Sequence, residues 1–442
     1  MDTVIVLLNR DLRVHDHPAL AAACAEARRV VPLFVLDPSV PAGRRSGFLA
    51  ESLADLRRSL RERGGDLVVR RGDPVAETVR LAREIAGGGA GGGAGGGSAA
   101  GVVEAVHVSA DVSALARRRE CRLAEECERH RMGFRAFPGV TVVPPGAVTP
   151  SGGGDHYRVF TPYWRAWQAH SRREVLPAPA RVTLPEGLDP GVPPPGHPHR
   201  PHELFRGGET VARRRMRQWL KYCVADYAAG HDDLAGNRTS KFSPYLRFGC
   251  LSPLELSSLA EDGDDFVRQL CWRDFFYQVT MAFPAINRAD YRPRGLTWND
   301  DAEALQAWKE GRTGLPIVDA GMRQLLEEGW MHNRARLLTS WFLVKRLRVD
   351  WRAGADHFFD LLLDGDVANN YGNWQWVAGT GNDTRFNRTV NPVRQARRFD
   401  PDGEYIRRYV PELRNVPPKT LHEPWRLPSA VRGYPPPLVS PA

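Results

Sequence analysis

The chain has 442 residues, which at roughly 100 to 200 residues per domain predicts two or three domains with a sizeable buried core. Hydrophobic residues make up 42% and charged residues 26%, a globular balance that excludes global disorder, collagen-like repeats and coiled coils. The net charge of +9 points to a polyanionic partner, and no stretch approaches the ~18 uninterrupted apolar residues of a membrane span.

The opening apolar run Val4 to Leu8 is closed at once by Asn9, Arg10 and Asp11, so it is not a targeting segment. Further apolar runs follow at Val30 to Leu36, Leu67 to Arg70, Val102 to Val108 and Phe134 to Phe137. Between them lie helical patterns over Asp16 to Arg28, Arg45 to Arg63, Pro74 to Ala86 and Ser113 to Arg131. Near-continuous apolar strands alternating with amphipathic helices predict an α/β, doubly wound parallel-sheet domain over residues 1–137. The tract Gly87 to Gly101 reads as a flexible surface loop, because its Gly-x-Gly-x-x-Gly matches are forced by low complexity.

Pro138 to Gly154 and Pro177 to Pro201 are rich in Pro and Gly and predict an interdomain linker over 138–205. From there the apolar period becomes helical: Val211 to Tyr222, Asp264 to Met281, Ala302 to Glu310, Ile317 to Glu328, Met331 to Leu347 and Trp351 to Leu363. Residues 206–442 are therefore expected to form an all-helical domain. The six cysteines, Cys24, Cys121, Cys127, Cys223, Cys250 and Cys271, contain no Cys-x-x-Cys pair. Reduced thiols, no metal site and a soluble cytoplasmic protein are expected.

All 12 tryptophans lie at Trp164 or later. Trp351, Trp374 and Trp376 bracket Asp364-Gly365-Asp366 and Asn369-Asn370, and with Trp272, Trp298 and Trp330 they exceed what packing needs. Any one of them is explained by packing alone; as a group they suit electron relay or stacking on nucleobases. Thr239-Ser240-Lys241-Phe242-Ser243 combines hydroxyls, backbone N–H groups and a cation ahead of Pro244, which suits either a phosphate or simple helix capping. Arg336 lies among apolar residues and needs a carboxylate if buried, with Asp364 and Asp366 as the candidates. Such a pair is a structural ion pair or a means of tuning the charge on a reduced flavin. No serine-nucleophile elbow, Walker loop, His-Glu-x-x-His helix or cysteine-nucleophile signature is present.

Taken together, Asn9-Arg10-Asp11-Leu12-Arg13-Val14-His15-Asp16, the block Gly314-Leu315-Pro316-Ile317-Val318-Asp319-Ala320, Trp330-Met331-His332-Asn333-Arg334, Asp364-Gly365-Asp366, Trp374-Gln375-Trp376 and Leu421-His422-Glu423-Pro424-Trp425 resemble the photolyase and cryptochrome flavoproteins. The resemblance covers nearly the whole chain and is nearest to bacterial class I cyclobutane-dimer photolyases of the deazaflavin type. It implies a bent FAD in the helical domain, with Tyr227 and Thr239, Ser240, Lys241, Phe242 and Ser243 on the phosphate side and Arg336, Asp364 and Asp366 by the ring. Asn370 matches the residue facing flavin N5, and Trp374, Trp351 and Trp298 match the electron relay. Trp272 and Trp376 match the walls around a flipped dimer, Asn333 and Arg334 its DNA-facing side. The implied activity is light-dependent repair of UV-damaged DNA by a monomer.

Two positions depart from the dimer-photolyase pattern: Gln269 stands where many carry glutamate, and Leu337 where a methionine is common. Glutamine at the first is familiar in (6-4) photolyases and animal cryptochromes, whereas Asn333-Arg334 after His332 follows the dimer enzymes. Asp111, with Arg45 and Arg247, resembles the deazaflavin binders, which favours 8-hydroxy-5-deazaflavin over methenyltetrahydrofolate as antenna. A cryptochrome-like photoreceptor is the main alternative, and a module that only binds DNA the third. The short stretch after Trp425 favours repair.

Overall fold

The computed structural model describes residues 1–40, 43–87, 101–195, 204–236, 238–260, 263–383 and 390–440. Residues 88–100 of the glycine tract and 196–203 of the expected linker lie outside them. The first part of the chain alternates β1 (Thr3–Leu8), α1 (Pro18–Glu26), β2 (Arg29–Leu36), α2 (Ser46–Arg61), β3 (Val68–Arg71), α3 (Pro74–Ala86), β4 (Val103–Ser109), α4 (Ala114–Arg129) and β5 (Gly133–Phe137). All strand pairs are parallel, in the order β3-β2-β1-β4-β5. Val4, Val6 and Leu8 join a core continuous with the helical part, while Ile5 and Leu7 pack under α3 and α4. Both faces of the sheet are covered, which is why its strands read as unbroken apolar runs. The strand order reverses between β1 and β4, and the crevice beyond their carboxyl ends is where doubly wound sheets take ligands.

The stretch 138–205 is not the bare linker expected of it, because it contains α5 (Phe160–Ala169) with Phe160, Tyr163 and Trp167 buried. The rest of the chain is helical: α6 (Glu209–Tyr222), α7 (Tyr227–Gly230), α8 (Ser243–Phe248), α9 (Pro253–Leu259), α10 (Asp264–Ala282), α11 (Ala302–Lys309), α12 (Pro316–Glu328), α13 (Asn333–Trp341), α14 (Trp351–Leu361), α15 (Val367–Ala378), α16 (Pro392–Phe399), α17 (Glu404–Tyr409) and α18 (Pro418–Leu421). The single helix expected over Met331 to Leu347 is instead α13 followed by a π turn over Phe342–Arg346. Thr339 and Ser340 donate to the carbonyls of Ala335 and Arg336 four residues back, at 2.9 and 2.6 Å, just before that irregularity. No described helix is long and apolar enough to cross a membrane.

Asp274 of α10 holds α5 and the start of the connecting segment in place. Its Oδ2 accepts from Val142 N–H, Val143 N–H and the Trp167 indole N–H at 2.9, 3.0 and 3.0 Å, and burial pushes its carboxyl up to about 6. Asp274→Ala leaves three buried donors without an acceptor, so stability is expected to fall by about 3 kcal/mol, read as a lower chemical-denaturation midpoint. Asp274→Asn, which keeps one oxygen acceptor, is expected to lose less.

Candidate active site

A cavity of about 420 Å³ is enclosed by α8, α10, α13, α14, α15 and the turn 362–366 that enters α15. The turn brings two carboxylates to its wall, both largely buried, and they serve different partners. Asp364 Oδ2 accepts from Arg336 Nη2 at 2.8 Å, while its other oxygen is buried with no partner in the protein. Asp366 does not share Arg336. Its Oδ2 is bound by Arg10 and by the Tyr277 hydroxyl, and its Oδ1 caps α15 by accepting from Asn369 N–H at 2.8 Å. Burial alone would raise its pKa, but the Arg10 charge and then Arg273 hold it well below the usual carboxylate range.

Helix α15 then delivers its cavity face. Asn370 donates its amide to the Ala355 carbonyl at 2.9 Å, which leaves the side-chain oxygen as the group able to accept from a ligand. Trp374 is buried at the wall, in ring contact with Phe358 at 5.0 Å and Trp308 at 6.0 Å. Gly354 of α14 makes room for it, since a Cβ there would lie 2.2 Å from the Trp374 ring. Gly372 does the same for α10, where a Cβ would meet Phe276 at 2.2 Å.

Tyr227, Ser240, Phe242 and Ser243 line the cavity, but Thr239 and Lys241 do not. The Lys241 ammonium sits over the Trp330 ring at 5.5 Å, and burial followed by the Arg215 charge lowers its pKa to about 8. No side chain caps α8, so simple N-capping does not account for the hydroxyls. Gln269 and Asn333 are exposed and Trp272, Leu337 and Trp376 half-buried, so these lining residues form the mouth, with Trp272 stacked on Phe160 at 3.7 Å. Arg334 is not among the lining residues, because Asp232 and the Phe399 ring engage its guanidinium. Trp298 and Trp351 also lie outside the lining, and the Trp351 indole donates to Asp290 at 3.0 Å.

A second cavity of about 700 Å³ opens at the strand-order reversal, with Asn9, Phe34, Asp37, Ser109 and Glu120 in its wall. Arg45, Asp111 and Arg247 all line it. Arg10 and Arg247 also line the first cavity, so the two share a partition. Arg45 is fixed there by donating to the Phe359 carbonyl at 2.6 Å. Among the described residues no His, Cys, Asp and Glu group that could hold a metal occurs.

The model of the FAD binding domain of DNA photolyase matches residues 266–442, and that of DNA photolyase matches residues 4–88 and 98–182. A deoxyribodipyrimidine photo-lyase of Streptomyces griseus is 47% identical, covering 99% of this chain and 96% of that protein. The chain belongs to the photolyase/cryptochrome family. A cryptochrome DASH of Natronomonas pharaonis is 35% identical over 99% of this chain and 98% of its own length. Among solved structures, a class III photolyase from Agrobacterium tumefaciens superposes with a TM-score of 0.88 at 31% identity, over 100% of this chain and 95% of that one. A Sulfolobus tokodaii photolyase solved with two FAD molecules superposes at 0.85 with 31% identity, over 99% and 96%. Both share the two-part architecture of this photolyase-family chain, an α/β sheet joined to a helical half. Its cavity contains residues to which the sequence reading gave no site role, among them Arg10, Phe266, Arg273 and Asn369. Arg10 stood inside a quoted motif, so the signal was present without the role.

Proposed function

We propose that this protein is a light-dependent DNA repair enzyme that splits cyclobutane pyrimidine dimers with FAD in the first cavity and a second chromophore in the interdomain cavity. The observation that carries this reading is the Arg336–Asp364 pair, which stands in the wall of a cavity lined by aromatic and amide groups while one buried oxygen of Asp364 has no partner in the protein. A carboxylate oxygen in that state requires a donor, and the N–H edge of a flavin ring supplies one. Reduced FAD, when bound and excited by light, donates an electron that opens the dimer and is then returned.

The protein's own contribution is to hold and exclude. Arg336 and Asp364 would orient the ring edge, and the Asn370 side-chain oxygen, its amide being held by the Ala355 carbonyl, would be the group to accept from a ring N–H. Tyr227, Ser240, Phe242 and Ser243, which line the cavity, are assigned to the phosphate side of the cofactor, and Thr239 and Lys241 belong to the same segment without lining it. Trp374, Trp351 and Trp298 are assigned to the electron relay. Trp272 and Trp376 wall the mouth for a dimer of adjacent pyrimidines flipped out of one strand of the duplex, with Gln269, Asn333 and Leu337 at its polar and apolar edges. Arg334 steadies that rim through Asp232. The net charge of +9 suits contacts with DNA phosphates.

His332 bears on the choice of lesion. It is buried outside the cavity lining, its Nδ1 accepts from Arg334 N–H at 3.1 Å, and burial lowers its pKa to about 4. It therefore stands outside the pocket, and it is Asn333-Arg334 following it, rather than a second histidine, that supports cyclobutane dimers over (6-4) products. For the second cavity, Arg45, Asp111 and Arg247 support 8-hydroxy-5-deazaflavin ahead of methenyltetrahydrofolate. Similarity to cryptochromes keeps a photoreceptor as the second reading. Blue light on protein holding reduced FAD, mixed with dimer-containing DNA, separates the two: repair removes dimers in light and not in darkness, whereas a photoreceptor leaves them.

A further inference from the structure

We infer that Arg10, supplied by the α/β half of the chain, is a positioning residue of the flavin site, and that Asp111 in the interdomain cavity holds it there, linking the two cavities. The inference rests on the reading of the first cavity as an FAD site. Arg10 follows β1 directly, and its side chain is 15% exposed. Its fork spans the partition: Nη1 donates to Asp111 Oδ2 at 3.1 Å on the interdomain side, and Nη2 donates to Asp366 Oδ2 and the Tyr277 hydroxyl on the other. Nε donates to the Arg247 carbonyl at 3.2 Å. No other residue joins a carboxylate of one cavity to a carboxylate of the other among the described ion pairs.

The partition holds a second cation. Arg247 donates to the Gly365 carbonyl at 2.6 Å, and burial followed by the Arg10 charge lowers its pKa to about 10. Two buried guanidinium groups therefore repel one another, and Asp366 and Asp111 offset that repulsion from opposite sides. Asp366 is also the cap of α15, the helix that presents Asn370 and Trp374 to the cavity. With the Asp111 charge removed, Arg10 loses one of its two carboxylates, its hold on Asp366 slackens, and the entry to α15 loosens. Coupling between the cavities thus passes through one ion-pair network into one helix, and it acts equally in both directions.

The test follows FAD release from the holoprotein by the recovery of flavin fluorescence on dilution. Asp111→Asn removes the charge but keeps the Oδ1 acceptor used by Val112 and Ser113 N–H at 2.6 and 3.1 Å, so the turn into α4 is retained. It is expected to release FAD about 5-fold faster although Asp111 does not line the FAD cavity. Arg10→Lys keeps the charge and loses the fork, and it too is expected to speed release. Adding Asp111→Asn to Arg10→Lys is then expected to change little, because the link is already cut. Asp66→Asn, which removes the partner of Arg57 and Arg61 elsewhere on the same half, is expected to leave release unchanged. Unaltered release from Asp111→Asn, or fully additive effects in the double variant, would overturn the inference. A parent protein that retains no FAD would overturn the reading beneath it instead.

Discussion

Replacement of Trp374 by Phe is expected to slow light-driven reduction of oxidised FAD by at least about tenfold. Of the three tryptophans proposed for the relay, Trp374 lines the cavity, and its ring rests on Gly354, one turn along α14 from Trp351. Phenylalanine fills much of the same space against Phe358 and Trp308, yet it is far harder to oxidise than tryptophan. The substitution therefore interrupts electron supply while the Arg336–Asp364 pair and Asn370 stay where they are. Bleaching of the oxidised-flavin absorbance under blue light with an external reductant measures the effect, with FAD content determined alongside. Equal rates in variant and parent would mean that electrons enter by another path, for which Trp308, 6.0 Å from Trp374, is the first candidate.

Asp364→Asn is expected to weaken FAD binding by about 1.5 to 3 kcal/mol, or roughly 10-fold to 150-fold in Kd. The neutral amide leaves Arg336 without its charge partner and converts one carboxylate oxygen into a donor. Whichever way that amide turns, one of its two polar groups mismatches: an NH₂ faces either Arg336 or a ring N–H that requires an acceptor. Equilibrium titration of the stripped protein with FAD checks the value. An unchanged Kd would remove Asp364 from the cofactor site and leave its buried oxygen without an explanation.

The strands were legible in the sequence because both faces of the sheet are buried, so Val4 to Leu8 and Val30 to Leu36 carry no polar interruption. Helix α5 was not, since Pro and Gly on either side gave the whole stretch the composition of a linker. Its own signal was nevertheless present: Phe160, Tyr163, Trp164 and Trp167 follow helical spacing. The Arg336–Asp364 pair could be anticipated from the cost of burying an unpaired guanidinium. The role of Arg10 could not, because its carboxylate partners lie 101 and 356 residues away and no local pattern announces them. Lys241 illustrates a different failure. Its backbone takes a positive φ of 55°, and the ammonium settles over Trp330 rather than in the cavity that spacing alone suggested.

Photochemistry on DNA lesions in the first cavity is open to direct measurement. The protein is loaded with FAD, reduced chemically, mixed with DNA bearing a single cyclobutane dimer, and given one saturating flash of blue light, with a matched dark sample. If an electron passes from the cofactor to a dimer held at the mouth between Trp272 and Trp376, dimer loss is expected in proportion to the complex present and only in the flashed sample. Undiminished dimer after the flash, with reduced FAD and DNA binding both verified, would contradict it.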